Sequence, residues 1–329
     1  MRGVISTIAG TGEPGHTGDG HSAELAQLRE PFMCEFDSRG NLYIAEATNH
    51  CIRRLDSKSG ILSTLAGIGK AGYSGDGEPA TQASFNEPYS LQLDHNGDIY
   101  VIDRLNAAIR KINASNGLID TTVGGKNTDV FIEPNDCFLD QDSGLLVADV
   151  QKQQILRVNL VTSQTTTIAG DGKKSREGDG KPALKASLMG PRAICLDSQG
   201  NLYICEREGN SIRKVDRDGI MTTVSGNGKP GYDGDGGQAI NATWRGPKAI
   251  RCDNQDNLIV VDTENHAVRR IDRKTSIVTT VAGGHRGNDG DGGPATRAGL
   301  DRPHGCSIDR EGNLYIADSD NHRIRRVQG

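Results

Sequence analysis

Aromatic residues, long apolar runs and clustered positive charge are what this chain of 329 residues has least of. Aromatics make up 4% and apolar residues 34%, a composition that is poor for a helical bundle. No run approaches the roughly 18 apolar residues that a membrane-spanning helix needs. The formal net charge is −5 and no block of Lys and Arg occurs, whereas a nucleic-acid-binding face requires one. We therefore expect neither a membrane nor a nucleic acid as partner.

The first residues, MRGVISTIAG, lack the apolar stretch of a secretory leader. On this sequence we expect a cytoplasmic protein, although a targeting segment removed from the natural chain would change that. The seven cysteines are odd in number and their spacings match no zinc pattern. We therefore expect free, reduced thiols.

Glycine, in contrast, is abundant, with 43 residues, and it punctuates a repeated unit. A β-rich hexapeptide such as ISTIAG or VTTVAG occurs six times, starting at residues 5, 62, 120, 165, 221 and 278. A second landmark is a Pro followed by an alternating strand, an Asp, a turn and a second strand. Its copies begin at Pro31, Pro88, Pro134, Pro191, Pro247 and Pro303.

Each unit therefore carries about four strand signals and no convincing helix, which predicts an all-β protein. Six such units predict a six-bladed β-propeller of four-stranded blades. The chain starts with a lone fourth-strand motif and stops after the third strand of the last unit. We expect these two segments to pair and close the ring, giving one propeller domain over residues 1–329 and a monomer. Cys34, Cys137 and Cys306 fall at core positions of the repeats, where other copies carry Leu or Ile.

An Asn-His pair followed by an apolar residue and Arg recurs after the second strand of three units. The copies are Asn49-His50, Asn265-His266 and Asn321-His322. With the preceding GNLYIAE-type segments, they resemble the NHL repeat family over the whole chain. The resemblance implies a six-bladed propeller, and it leaves the activity open because such propellers include enzymes, sensor domains and binding scaffolds. We expect the histidines to orient the bend by hydrogen bonding and the arginines that follow to lie on solvated faces.

Five of the six loops that precede the Pro landmarks contain Gly-Asp-Gly. Their aspartates are Asp19, Asp76, Asp179, Asp235 and Asp291. Asp-x-Asp-Gly also occurs in calcium loops, but a tight turn with Gly at positive φ explains all five copies. The third unit has a shorter loop, KNTDVFIEP, without this motif. We expect a notch there, with the mouth of a pocket beside Asn135.

The residue after each landmark Pro begins the innermost strand, so these six positions are expected to ring the axial funnel. They are Phe32, Tyr89, Asn135, Arg192, Lys248 and His304. Because the six residues differ from one another, we predict a ligand site in the funnel. Arg192 and Lys248 would bind a small molecule that bears a carboxylate or phosphate. Phe32 would stack on the ligand and Asn135 would contact it. His304, Tyr89 and Lys248 are the candidate catalytic residues, with His304 as general acid or base and Tyr89 as a second proton donor.

A ring of carboxylates ends the second strands, and we predict that it borders the substrate site, accepts backbone N–H bonds and pairs with Arg192 and Lys248. Its members are Glu46, Asp103, Asp149, Glu206, Asp262 and Asp318. We expect no cofactor. A weak alternative is a divalent cation such as Ca²⁺ on Glu87, Asn135 and Asp136, in the manner of gluconolactonase-type propellers, although the two nearby cations disfavour it.

Two functions remain open. The unequal ring favours an enzyme of the lyase, isomerase, cyclase or hydrolase type that uses acid–base chemistry without a metal. The alternative is a non-catalytic scaffold that binds a protein, peptide or glycan through its loop rim, where Tyr73, Tyr232 and Trp244 are the aromatic residues.

Overall fold

The computed structural model describes residues 3–125, 127–140 and 142–329, which form six antiparallel sheets arranged as blades around one axis. Blade I comprises Pro31–Phe36, Leu42–Glu46, Cys51–Leu55 and Leu62–Ala66. Blade II comprises Pro88–Leu93, Ile99–Asp103, Ala108–Ile112 and Leu118–Gly124, with Glu78–Pro79 at its edge. Blade III comprises Pro134–Leu139, Gly144–Asp149, Gln154–Asn159 and Thr165–Ala169.

Blade IV comprises Pro191–Leu196, Leu202–Glu206, Ser211–Val215 and Met221–Ser225. Blade V comprises Ala249–Cys252, Leu258–Asp262, Ala267–Ile271 and Val278–Gly283. Blade VI comprises Gly305–Ile308, Leu314–Asp318, Arg323–Val327 and the first strand of the chain, Ile5–Ala9. Short 3₁₀ turns are the helical elements of the described residues: Ala23–Leu25, Ala80–Gln82, Arg104–Asn106, Ala183–Lys185, Ala239–Asn241, Thr263–Asn265, Ala295–Arg297 and Ser319–Asn321.

The two ends of the chain close the ring. Ile5 lies opposite Val327 and Thr7 lies opposite Arg325 in an antiparallel pair, so the first strand completes the last blade. This pairing satisfies backbone groups that an open blade would expose. The six-bladed fold and its closure, both predicted from the sequence, are confirmed.

Apolar side chains from adjacent blades interlock to form the core. Between blades VI and I, for example, Cys34 and Ile44 pack with Leu28, Ala317 and Ile324. Six of the seven free cysteines are buried, as expected for small apolar fillers, and Cys252 is the partly exposed exception. In the part of the chain that the structure describes, we find no helix with the length and apolar character needed to cross a membrane.

One arginine on the third strand of five blades is fully buried, which corrects the expectation that these side chains are solvated. The five are Arg53, Arg110, Arg213, Arg269 and Arg325. In blade I, Arg53 donates to Glu46 Oε1 at 3.2 Å and to Asp19 Oδ1 at 2.6 Å. Asp19 belongs to the Gly-Asp-Gly loop, so the loop folds over the blade and covers the arginine. We call this arrangement the arginine clamp.

The clamp explains the first glycine of the loop motif. Gly18 has φ +91°, and a Cβ there would lie 2.6 Å from Ala26. Only glycine accepts both the left-handed backbone and this close approach. The loops are thus held by ion pairs, and the tight-turn interpretation accounts for their glycines.

Side chains at a left-handed position before the third strand tie five of the six blades to the next blade. His50, His266 and His322 accept through Nδ1 the backbone N–H groups of Glu87, Arg302 and Glu30, at 3.1–3.2 Å. Gln153 and Asn210 do the same for Gly190 and Gly246. The histidines do form hydrogen bonds, as predicted, but their side chains join adjacent blades instead of orienting the bend. We call these bonds the interblade straps.

Candidate functional site

A cavity of about 450 Å³ lies at the axis, on the face where each fourth strand connects to the next blade. Phe32, Tyr89, Arg192 and His304 line it, so four of the six predicted ring positions meet there. They come from blades I, II, IV and VI, which only ring closure brings together. Lys248 and Asn135 both lie outside the lining, and Lys248 contacts His304 from the side away from the cavity.

The aromatic side of the cavity is one packed cluster. The Phe32 ring stacks on His304 with centroids 4.1 Å apart and planes within 3°. The same ring meets the edge of Tyr89 at 4.8 Å and 73°. This cluster gives an organic ligand an apolar surface.

Arg192 is the cation of the cavity without a carboxylate partner among the described residues. Its guanidinium donates to the Tyr89 hydroxyl and lies 4.7 Å from the centre of that ring. Its Nε is buried without a hydrogen-bond partner. The two other arginines of the lining, Arg104 and Arg302, are both paired with carboxylates.

Lys248 and His304 form a buried pair, with Nζ 2.9 Å from Nε2. Because His304 Nδ1 donates to the Arg302 carbonyl at 2.9 Å, Nε2 is the acceptor for Lys248. Burial, together with the positive charge of Arg302, lowers the pKa of Lys248 to about 7. Burial and the adjacent Lys248 hold the pKa of His304 well below its usual value, so this imidazole is neutral.

Three carboxylates, Glu30, Glu87 and Asp320, stand on the rim of the cavity. Sequence reasoning named Glu87 only as a weak candidate metal ligand, and it missed Glu30 and Asp320. Burial raises the pKa of Glu30, and the charges of Asp320 and Glu87 add to that effect. Glu30 and Glu87 immediately precede landmark prolines, as does Arg302. That repeated position was the available signal, because the interblade straps fix it at the mouth.

The predicted carboxylate ring lies behind this lining. Glu46, Asp103, Asp149, Glu206, Asp262 and Asp318 are all fully buried. Glu46 accepts the Arg29 N–H at 2.8 Å and pairs with Arg53, and burial raises its pKa to about 7. The expected backbone bonds are therefore present, but the expected pairing with Arg192 and Lys248 is wrong, since a clamp arginine takes that place in five of the six blades. None of the six lines the cavity.

The expected pocket mouth beside Asn135 is also wrong. Asn135 is 1% exposed and donates to the Glu133 carbonyl at 2.8 Å. The cavity opens between blades I, II and VI, away from this residue. Trp244 is buried and donates to Ser225 Oγ at 3.0 Å, so it packs down the loop ahead of blade V and offers no exposed aromatic surface. Tyr73 and Tyr232 remain partly exposed on the loops.

The weak calcium alternative has its three residues in separate environments. Glu87 pairs with Arg104, Asn135 is turned to a backbone carbonyl, and Asp136 pairs with Arg251 at 3.1 Å. Within the described ranges, no three His, Cys, Asp or Glu side chains are grouped as a metal site.

Arg251 blocks the axis next to the first strands, and sequence reasoning did not single it out. It donates to Asp136 and to the carbonyls of Ile194 and Ile250. Burial acts against its charge, but Asp136 and Glu35 raise the pKa of Arg251. We call the Arg251–Asp136 pair the axial plug.

Two family models match parts of the chain: a teneurin NHL domain over residues 138–231 and an NHL repeat over residues 300–327. Among curated relatives, the chloroplastic protein SUPPRESSOR OF QUENCHING 1 of Arabidopsis thaliana is 26% identical over 98% of this chain. Human NHL repeat-containing protein 2 is 26% identical over 86% of it. The chain spans only 27% and 37% of the length of these relatives. The predicted resemblance to NHL-repeat propellers is confirmed.

Solved structures share the fold. An auxiliary nutrient binding protein from Bacteroides ovatus superposes with a TM-score of 0.72 and 17% identity, covering 98% of this chain and 76% of its own. Virginiamycin B lyase from Staphylococcus aureus gives a TM-score of 0.56 and 19% identity, with coverages of 90% and 79%. At this identity the likeness concerns the fold alone.

Proposed function

We propose that this NHL-repeat propeller binds a small carboxylate- or phosphate-bearing organic molecule in its axial cavity and acts on it by acid–base chemistry. The observation that carries the proposal is Arg192, whose guanidinium lines the cavity beside Tyr89 without a carboxylate partner among the described residues. A guanidinium presents paired N–H donors that match a carboxylate or phosphate. The stacked Phe32 would hold the organic part of the ligand.

The neighbouring arginines sharpen this assignment. Arg104 is neutralised by Glu87 and Glu133, each at 2.5 Å, and Arg302 by Glu264 at 3.0 Å. An anion entering the cavity therefore gains most from Arg192. Since the Tyr89 oxygen already accepts from Arg192, the tyrosine hydrogen is left to donate to a ligand oxygen.

Lys248 is the proposed base. A lysine with a pKa of about 7 is partly neutral at neutral pH, and a neutral amine accepts a proton. His304 accepts from Lys248 and is fixed by the Arg302 carbonyl, so it positions the amine. Tyr89 is the proposed proton donor. A tyrosine acid in the cavity lining and a lysine base behind His304 support lyase, isomerase, cyclase or hydrolase chemistry, and the fold does host lyases in other proteins.

Thermal-shift and calorimetric titrations against carboxylated and phosphorylated metabolites test the proposal. We expect Arg192→Met to weaken binding of the best anion at least tenfold, which corresponds to about 1.4 kcal/mol. Arg217→Met, on the opposite face, is the matched control and should bind normally. Lys248→Met should abolish turnover of that ligand. Equal binding by wild type and Arg192→Met would refute the anion site.

A second function, a rim that docks a protein, peptide or glycan, is favoured by one specific feature. Beside the short loop, Leu105 is 47% exposed and Ile132 is 59% exposed, and the Arg104–Glu133 ion pair joins their two segments. The relatives are much longer proteins in which this propeller is one part. If Leu105→Glu with Ile132→Glu removes the biological activity while Arg192→Met preserves it, the scaffold function replaces the enzymatic one.

A further inference from the structure

Two cysteine thiols from neighbouring blades are in contact. Cys195 lies in the innermost strand of blade IV and Cys252 in the innermost strand of blade V, and their sulfurs are 3.5 Å apart. A disulfide needs about 2.05 Å between sulfurs. Forming the bond would bring the two sulfurs about 1.5 Å closer through rotation of the two side chains.

The two thiols differ in access. Cys252 is the partly exposed cysteine and lines a cavity of about 600 Å³ on the face opposite the axial site, next to Asp197 and Ser198. Cys195 is fully buried, and burial, followed by its contact with Cys252, raises its pKa. An oxidant therefore meets Cys252 first, and Cys195 is placed to react second.

We propose that Cys195 and Cys252 form a reversible redox site that a low-molecular-weight disulfide oxidises. The Cys252 thiolate attacks one sulfur of the oxidant, the oxidant S–S bond breaks, and one thiol leaves. Cys195 then attacks Cys252 Sγ, the S–S bond of the mixed disulfide breaks, and the departing sulfur takes up the Cys195 proton and leaves as the second thiol. Two protein thiols are oxidised to one disulfide while the oxidant is reduced to two thiols.

The site adjoins the axial plug. Arg251 precedes Cys252 in the chain, and Ile194, whose carbonyl accepts from Arg251 and whose N–H donates to Asp136, precedes Cys195. A disulfide here would join two blades across 57 residues of chain (Cys195 to Cys252) at the floor of the propeller. Such a link removes conformations from the unfolded chain, so the oxidised form should melt at a higher temperature.

The test treats the full chain with oxidised glutathione under native conditions, alkylates the remaining thiols and maps the peptides by mass spectrometry. We expect one linked peptide pair containing Cys195 and Cys252, a melting temperature raised by several degrees, and reversal of both by dithiothreitol. Cys252→Ser should abolish the link, whereas Cys205→Ser, which removes another buried thiol, should retain it.

Peptide mapping of the wild-type chain decides the matter even if a variant fails to fold. A mixed disulfide that persists on Cys252, no reaction before unfolding, or linkage of other cysteines would each overturn the proposal. This inference does not depend on the ligand proposed for the axial cavity, because the two sites lie on opposite faces.

Discussion

In five blades a buried arginine joins the loop ahead of the blade to the end of the second strand, whereas in blade III that position is Leu156, opposite Val147. The loop ahead of blade III also lacks the Gly-Asp-Gly aspartate. Asp149 instead accepts backbone N–H groups from Ile132 at 2.7 Å and Lys152 at 3.0 Å. The arginine and the loop aspartate are thus absent together, as expected if a buried guanidinium needs both carboxylates.

The junction between blades II and III differs in a second way. Ala107 occupies the strap position of blade II and has no side-chain acceptor, whereas the five other blades carry His, Gln or Asn there. The Arg104–Glu133 ion pair crosses this junction instead. The comparison teaches that loops and straps are replaceable parts of the ring, and that the packed strands themselves define the blade.

The largest expected effect comes from breaking one clamp. Arg213 donates to Asp179 at 2.8 Å and to the Ser187 carbonyl at 3.2 Å, and it lies beside Glu206. Arg213→Leu gives blade IV the leucine that blade III has at this position, but it keeps the long loop. It leaves Glu206 buried without its arginine partner. We expect the free energy of unfolding in urea to fall by about 3–5 kcal/mol. The exposed Arg217→Leu serves as control, and a similar small loss in both variants would mean that the clamp contributes little.

The converse substitution tests whether the loop aspartate is required. Leu156→Arg puts a guanidinium into blade III, where Asp149 is present but no Gly-Asp-Gly loop covers it. We expect a loss of about 1–3 kcal/mol from the strained, half-paired charge, measured by the same urea titration. Leu156→Met should cost less than about 1.5 kcal/mol. An arginine variant as stable as the methionine one would show that the second-strand carboxylate is sufficient.

The smallest effect concerns the straps and appears as a pH dependence. Burial lowers the pKa of His322 below 6.5, so the unfolded chain binds the proton more readily and stability is lost as the pH falls below 6.5. The Gln153 side chain accepts the equivalent interblade hydrogen bond, and its amide does not titrate. His322→Gln should therefore match wild type at pH 8 and become the more stable of the two proteins as the pH falls to 5. A constant difference between the two proteins at every pH would contradict the strap assignment.

The fold was predictable because the repeats fix the number and order of strands, and closure follows from where the fourth-strand motif stands. The burial of Arg53 was not predictable in the same way. The charge of Arg53 indicated a solvent-exposed side chain. Asp19 lies 34 residues earlier in the chain, and only the folded loop brings its carboxylate into contact with Arg53. The local sequence is sufficient to predict where strands lie. The ion-pair partner of a buried charge, in contrast, depends on where loops that are distant in the sequence fold back onto the blade.

For the candidate site too, the sequence was sufficient to identify residues but not their contacts. Tyr89, Arg192, Lys248 and His304 were identified because all four follow landmark prolines and differ from one another. Their contacts were not predictable, since the Lys248–His304 distance depends on the pitch of two blades. The location of the mouth was misjudged, because a short loop at blade III was expected to open the cavity near Asn135. The residues that line the cavity place its opening between blades I, II and VI instead.

The measurement that tests the central claim most directly is an NMR titration of Lys248, followed through its side-chain carbon shifts with Lys248→Met to assign the resonance. Burial and the charges of Arg302 and Arg192 act on this amine against the attraction of Glu264, so the free protein should titrate with a pKa of about 7, and a bound anion should raise it. A pKa near the ordinary 10.5, unchanged by carboxylate or phosphate ligands, would contradict the account.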